Sequence, residues 1–74
     1  MNTIHNEFIE ICKQLFKDEL KTISCDELNL RSDLQKIEED SSISSMPFSN
    51  KELYALYKLE IRRRKLEKLY EYNN

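Results

Sequence analysis

The chain contains no glycine. Glycine is the residue that takes up positive φ without steric cost, so phosphate-cradling loops and the tight turn of a dinucleotide-binding unit are excluded from the outset. Proline occurs once, at Pro47, and valine not at all. What is left is a run of helix formers. A chain of 74 residues supports one small domain, which buries roughly 60% of its unfolded surface. No apolar run approaches the roughly 20 residues of a membrane span, and the N-terminus lacks the basic-then-apolar order of a signal peptide, so no membrane partner is expected.

Residues 3–23 carry apolar side chains at Ile4, Phe8, Ile9, Ile11, Cys12, Leu15, Phe16, Leu20 and Ile23. These occupy about half of the helical circumference, an arc too wide for one partner helix to cover. His5 and Glu19 lie inside the arc near its ends and are expected to reach outward. A second segment, 25–39, opens with the capping box Ser24-Cys25-Asp26-Glu27. Leu30, Leu34 and Ile37 are in helical phase there, whereas Leu28 is not. Ser32-Asp33-Leu34-Gln35 reads as a second cap, so this helix is expected to be short or broken. Residues 40–48 form a serine-rich linker ending at Pro47, with Ile43 and Met46 expected to anchor it and Ser44 to contribute little. The strongest start signal follows. Ser49-Asn50-Lys51-Glu52 is a capping box, and Phe48 with Leu53 takes the two positions of a hydrophobic staple, predicting a helix over 50–72.

The reading is therefore all-α: a single small antiparallel bundle of three helices. Its expected core is Phe8, Ile11, Cys12, Leu15, Phe16, Leu20, Leu34, Ile37, Leu53, Leu56, Tyr57 and Ile61. Two cysteines are too few for a disulfide framework, and both are expected to be reduced thiols packed as small hydrophobes in a cytoplasmic protein. With His5 as the only further soft ligand, neither a metal nor any other cofactor is expected. The single histidine has no nucleophile at a usable spacing, so no enzymatic activity is expected.

Charge is unevenly placed. Residues 1–41 carry five basic and ten acidic side chains, and residues 42–74 carry seven and four. Arg62-Arg63-Arg64-Lys65 is the only dense cluster, and as consecutive helical residues these spread over about 300°. Lys58, Arg62 and Lys65 share a line, the minimum for backbone contact with a nucleic acid. Glu60 stands four residues before Arg64, a stabilising pair. Arg63 falls on the heptad spacing Leu56-Leu59-Arg63-Leu66-Tyr70 and must snorkel or meet a carboxylate, for which the acidic first half, of this chain or another, offers candidates. Leu66, Leu69 and Tyr70 are rotated by roughly 100° or more from the apolar face of the helix's first half.

Two short stretches resemble known families. Ser49-Asn50-Lys51-Glu52-Leu53, followed by Tyr57 and Arg63, resembles the third-helix opening of the Hha/YmoA nucleoid modulators. That family's members act by binding the oligomerising domain of a nucleoid-structuring protein, although their tryptophan-bearing C-terminal segment has no counterpart here. Leu56-Tyr57-Lys58 is similar to the tripeptide of the mitochondrial LYR adaptors, where it lies early in the domain rather than in the last helix. The function expected from the residues is a non-enzymatic interaction module: an adaptor, a small subunit, or an inhibitor of the kind phage and mobile elements encode. It would dock another protein, or a second copy as a homodimer, through Arg62, Arg63, Lys65, Leu66, Leu69 and Tyr70. The alternative is a DNA-associated regulator, acting directly through Lys58, Arg62 and Lys65 or indirectly as the Hha/YmoA resemblance implies.

Overall fold

A computed structural model describes residues 2–73 and contains three helices, α1 (Asn2–Thr22), α2 (Cys25–Ile37) and α3 (Asn50–Asn73). Their starts follow local chemistry. The Ser24 hydroxyl accepts from the Glu27 amide at 3.1 Å, and the Ser49 hydroxyl accepts from the Glu52 amide at 3.2 Å. Phe48 and Leu53 are buried in one cluster, so the staple forms. α2 runs unbroken through Ser32, which is buried rather than acting as a cap.

Helix ends are harder to close without glycine. A helix leaves its last carbonyls unpaired, and the common solution is a residue of positive φ just beyond the end. No described residue has positive φ. α1 instead ends with the Thr22 hydroxyl donating to the Glu19 carbonyl at 2.7 Å, and with Arg64 of α3 donating to the Leu20 and Ile23 carbonyls at 2.8 Å each. α2 ends in a tight turn, where the Glu38 amide donates to the Gln35 carbonyl at 3.1 Å.

α3 is the element on which both others lean, while α1 and α2 barely meet. Contacts ascend α1 and α3 together, from Lys13–Glu52 to Leu20–Arg64. They descend α2 as α3 ascends, from Gln35–Asn50 back toward Leu28 and Ile61. The core is a strip along α3 made of two clusters. Leu20, Leu28 and Tyr57 form one, Phe48, Leu53 and Leu56 the other. Phe16 touches both and meets Tyr57 edge-to-face at 5.3 Å.

The core is smaller than the sequence pattern implies. Phe8, Ile11 and Leu15 of α1, and Leu34 and Ile37 of α2, were expected inside and are all more than half exposed. Each helix buries only one side of a two-sided apolar arc. Leu28, out of phase with the other apolar positions of its segment, is the α2 side chain that the core takes in, at 1% exposure. Cys12 is half-buried, but Cys25 is exposed at the start of α2, so it is not a packed thiol. The molecule is correspondingly extended, with a Cα radius of gyration of 14.1 Å and extents of 48 × 28 × 16 Å. A compact domain of this length has a radius of about 11 Å.

Residues 38–49 are an ordered connection. Met46 packs beneath Phe48, but Ile43 is exposed and does not anchor the loop. The anchor is Asn50. Its buried side-chain amide donates to the Ser41 and Ile43 carbonyls at 2.9 and 2.7 Å and accepts from the Gln35 amide at 3.1 Å. Ser44 also participates, donating to the Phe48 carbonyl at 2.7 Å. Ser49→Ala is expected to cost about 1 kcal/mol of stability. Asn50→Ala should cost more, about 2–3 kcal/mol, because it leaves several part-buried partners unpaired. Urea midpoints of the two variants test the ranking, and equal midpoints would remove Asn50 from its place as the anchor.

Candidate protein interface

The position of α3's second half depends on a charge cluster built around Glu60. Its carboxylate is buried, with the residue at 6% exposure, and accepts from Arg63 at 2.7 and 2.9 Å and from Arg64 at 2.7 Å. The hydrogen bonds from Arg63 hold the Glu60 carboxyl below the usual glutamate range against the opposing effect of burial, and the one from Arg64 adds to the lowering. Arg63 also donates to Glu67. Its partners thus come from its own helix and not from the acidic first half of the chain, because spacings of three and four bring them to the same side of α3. Pairing with these carboxylates pushes the Arg63 guanidinium above its ordinary value.

Arg64 carries the cluster across to α1. Besides the two carbonyls, its guanidinium reaches the Cys25 Sγ at 3.4 Å. A cation at a helix C-terminus is favoured by the aligned peptide dipoles as well as by the bonds themselves. The end of α1 is thereby fixed opposite residue 64, and residues 65–73 of α3 project beyond it by about 13 Å at 1.5 Å per residue.

Leu66, Leu69 and Tyr70 lie on this projecting arm and are 50%, 59% and 74% exposed. Leu59, Leu66 and Tyr70 continue the heptad line that starts at the buried Leu56, and their mean direction lies roughly 110° around the helix from that of Leu53, Leu56, Tyr57 and Glu60. Arg63 takes the remaining place on that heptad line, half-exposed above its two glutamates. Arg62 and Lys65 are exposed and have no ion-pair partner among the described residues. They border the cleft between α2 and α3 together with Lys58, whose ammonium also lies over the Tyr54 ring at 5.4 Å. All six interface candidates therefore fall on one half-helix, and the three basic candidates share one side of it.

Sequence reasoning missed two members of this arrangement. Spacing pairs Glu60 with Arg64 but does not mark Glu60 as buried, nor Arg64 as the cap of α1. The missing glycine was the available signal, since a helix end without one needs a donor from elsewhere. Among the described residues no three of His, Cys, Asp and Glu are grouped to hold a metal ion, and no helix is long and apolar enough to cross a membrane. No known protein family, curated protein or solved structure matches the chain.

Because the folded state lowers the Glu60 pKa, the cluster's contribution is present above the ordinary glutamate range and is lost as pH falls through the lowered value. Glu60→Gln should cost about 1.5–3 kcal/mol at neutral pH, the range for hydrogen bonds to charged groups. It should also flatten the acid side of the stability profile. Melting temperatures of both proteins between about pH 7 and about pH 3 provide the measurement. Parallel acid limbs would show that Glu60 is not linked to folding in this way.

Proposed function

We propose that the protein is a non-enzymatic interaction module that docks a larger protein through the second half of α3. The observation that carries this reading is the projecting arm, with Leu66, Leu69 and Tyr70 exposed on a helix whose base is pinned by Glu60 and Arg64. Apolar anchors ringed by polar residues are the composition of an interface centre, with tyrosine and arginine the types most often found at its energetic focus. Arg62 and Lys65 supply the rim, so the partner surface is an apolar groove edged by carboxylates. An adaptor, a small subunit or an inhibitor would all use such an arm.

Truncating an exposed anchor removes little from the free protein. Leu69→Ala or Tyr70→Ala should change folding stability by no more than about 0.5 kcal/mol, yet weaken association by about 2 kcal/mol or more. Thermal melts paired with sedimentation or partner capture from the native host separate these effects. A large fall in melting temperature with unchanged association would place the residues in the core and end this reading.

A second reading is favoured by the shared exposed line of Lys58, Arg62 and Lys65, which suits contact with a phosphate backbone. It requires a salt-dependent shift of duplex DNA that is lost on charge reversal at Arg62 and Lys65. Absence of any shift at low salt would eliminate it.

A further inference from the structure

The exposed apolar residues of α1 and α2 form a second surface, separate from the α3 arm. Ile4, Phe8, Ile11 and Leu15 follow the 4-3-4 spacing of a heptad seam and are all more than half exposed. Leu30, Leu34 and Ile37 repeat that spacing on α2 and are equally open. The stripe lies roughly 110° from the α3-packed residues on α1 and roughly 160° from them on α2, so neither stripe faces α3.

Between the two helices lies a groove, because both rest on α3 and come together chiefly where Leu20 and Leu28 share a cluster and Arg31 meets Glu19. Leu15 and Glu19 line one wall and Gln35 the other, with Leu53 and Tyr57 of α3 beneath. Leu15 is the one stripe residue in the groove's lining, which Ser45 and Met46 of the connection complete, so a fourth helix would rest on the stripes outside the groove rather than within it.

The charges around this face are mostly acidic. Glu7, Asp18 and Glu19 flank the α1 stripe, while Glu27, Asp33 and Glu38 flank that of α2. Two basic residues stand among them and both are occupied: Lys21 by Asp18 at 3.7 Å, and Arg31 by Glu27 at 2.9 Å and Glu19 at 3.9 Å. Pressing two copies together through this face would set acid against acid, which a self-complementary interface avoids. We infer that the α1/α2 face is a receptor for a cationic amphipathic helix of another protein, which completes a four-helix bundle. The inference is independent of the α3 arm, since no residue is shared.

The test uses the full chain and a labelled helical peptide of three heptads, with leucine at the seam positions and lysine beside them. A matched peptide carries glutamate in place of each lysine. The lysine peptide should bind saturably, one per chain, with affinity that falls as salt rises, and the glutamate peptide should not bind. Phe8→Ser and Leu34→Ser should each weaken binding by at least about tenfold. Both positions are exposed, so melting temperatures should hold, and either variant serves if the other unfolds. Equal binding of the two peptides, or unchanged affinity in both variants, would overturn the inference. So would loss of binding in Leu69→Ala, which would move the site to α3. Sedimentation of the chain alone supplies the last arm, since self-assembly abolished by Phe8→Ser would make the occupant a second copy.

Discussion

Arg64 joins three elements at one point. Its guanidinium satisfies carbonyls at the end of α1, touches the first residue of α2, and is neutralised by Glu60 on its own helix. Each of these demands exists for a separate reason. A helix end needs donors, a sharp connection between α1 and α2 needs a fixed geometry, and a buried carboxylate needs a counter-charge. One planar fork with five donors meets all three, which a lysine's single ammonium does not. The register between α1 and α3 follows from it, and so does the length of α3 left beyond the bundle.

The second governing fact is an excess of apolar surface. All three helices carry an arc wider than their neighbours cover, and among the described residues twelve large hydrophobic side chains are at least half exposed. Small domains have little burial to spare, so leaving this much outside is costly unless something covers it. The buried strip along α3 is enough to define the arrangement, with Phe16 linking its two clusters. The exposed stripes therefore lie outside what holds this chain together.

These stripes differ in electrostatic surroundings. The α3 arm is bordered by Arg62 and Lys65, whereas the α1 and α2 stripes are bordered almost wholly by carboxylates. The uneven charge of the two halves of the chain thus becomes two faces of opposite sign on one small object. Charge of this kind governs which partners approach and how quickly, and it separates one apolar face from another that would otherwise look alike to an incoming helix.

Helix existence, helix starts and the ordered staple were legible in the residues alone, because caps and staples act within four or five positions. Ser24, Ser49, Phe48 and Leu53 do what their local spacing dictates. The rotated face carrying Leu66, Leu69 and Tyr70 was also readable, since angular position on a helix is a property of sequence spacing. Which side of an over-wide arc turns inward was not. Phe8, Ile11 and Leu15 are as apolar as Phe16 and Leu20, and only the placement of α3 separates the exposed from the buried. Leu28, Asn50 and Glu60 share that reason for having been missed. Their burial comes from partners many residues away, which short-range periodicity does not encode. Composition and spacing thus determined three helices with no glycine to end them. Tertiary packing alone decided that Arg64 would close the first, because a donor 44 positions beyond Leu20 becomes its neighbour only after the chain has folded.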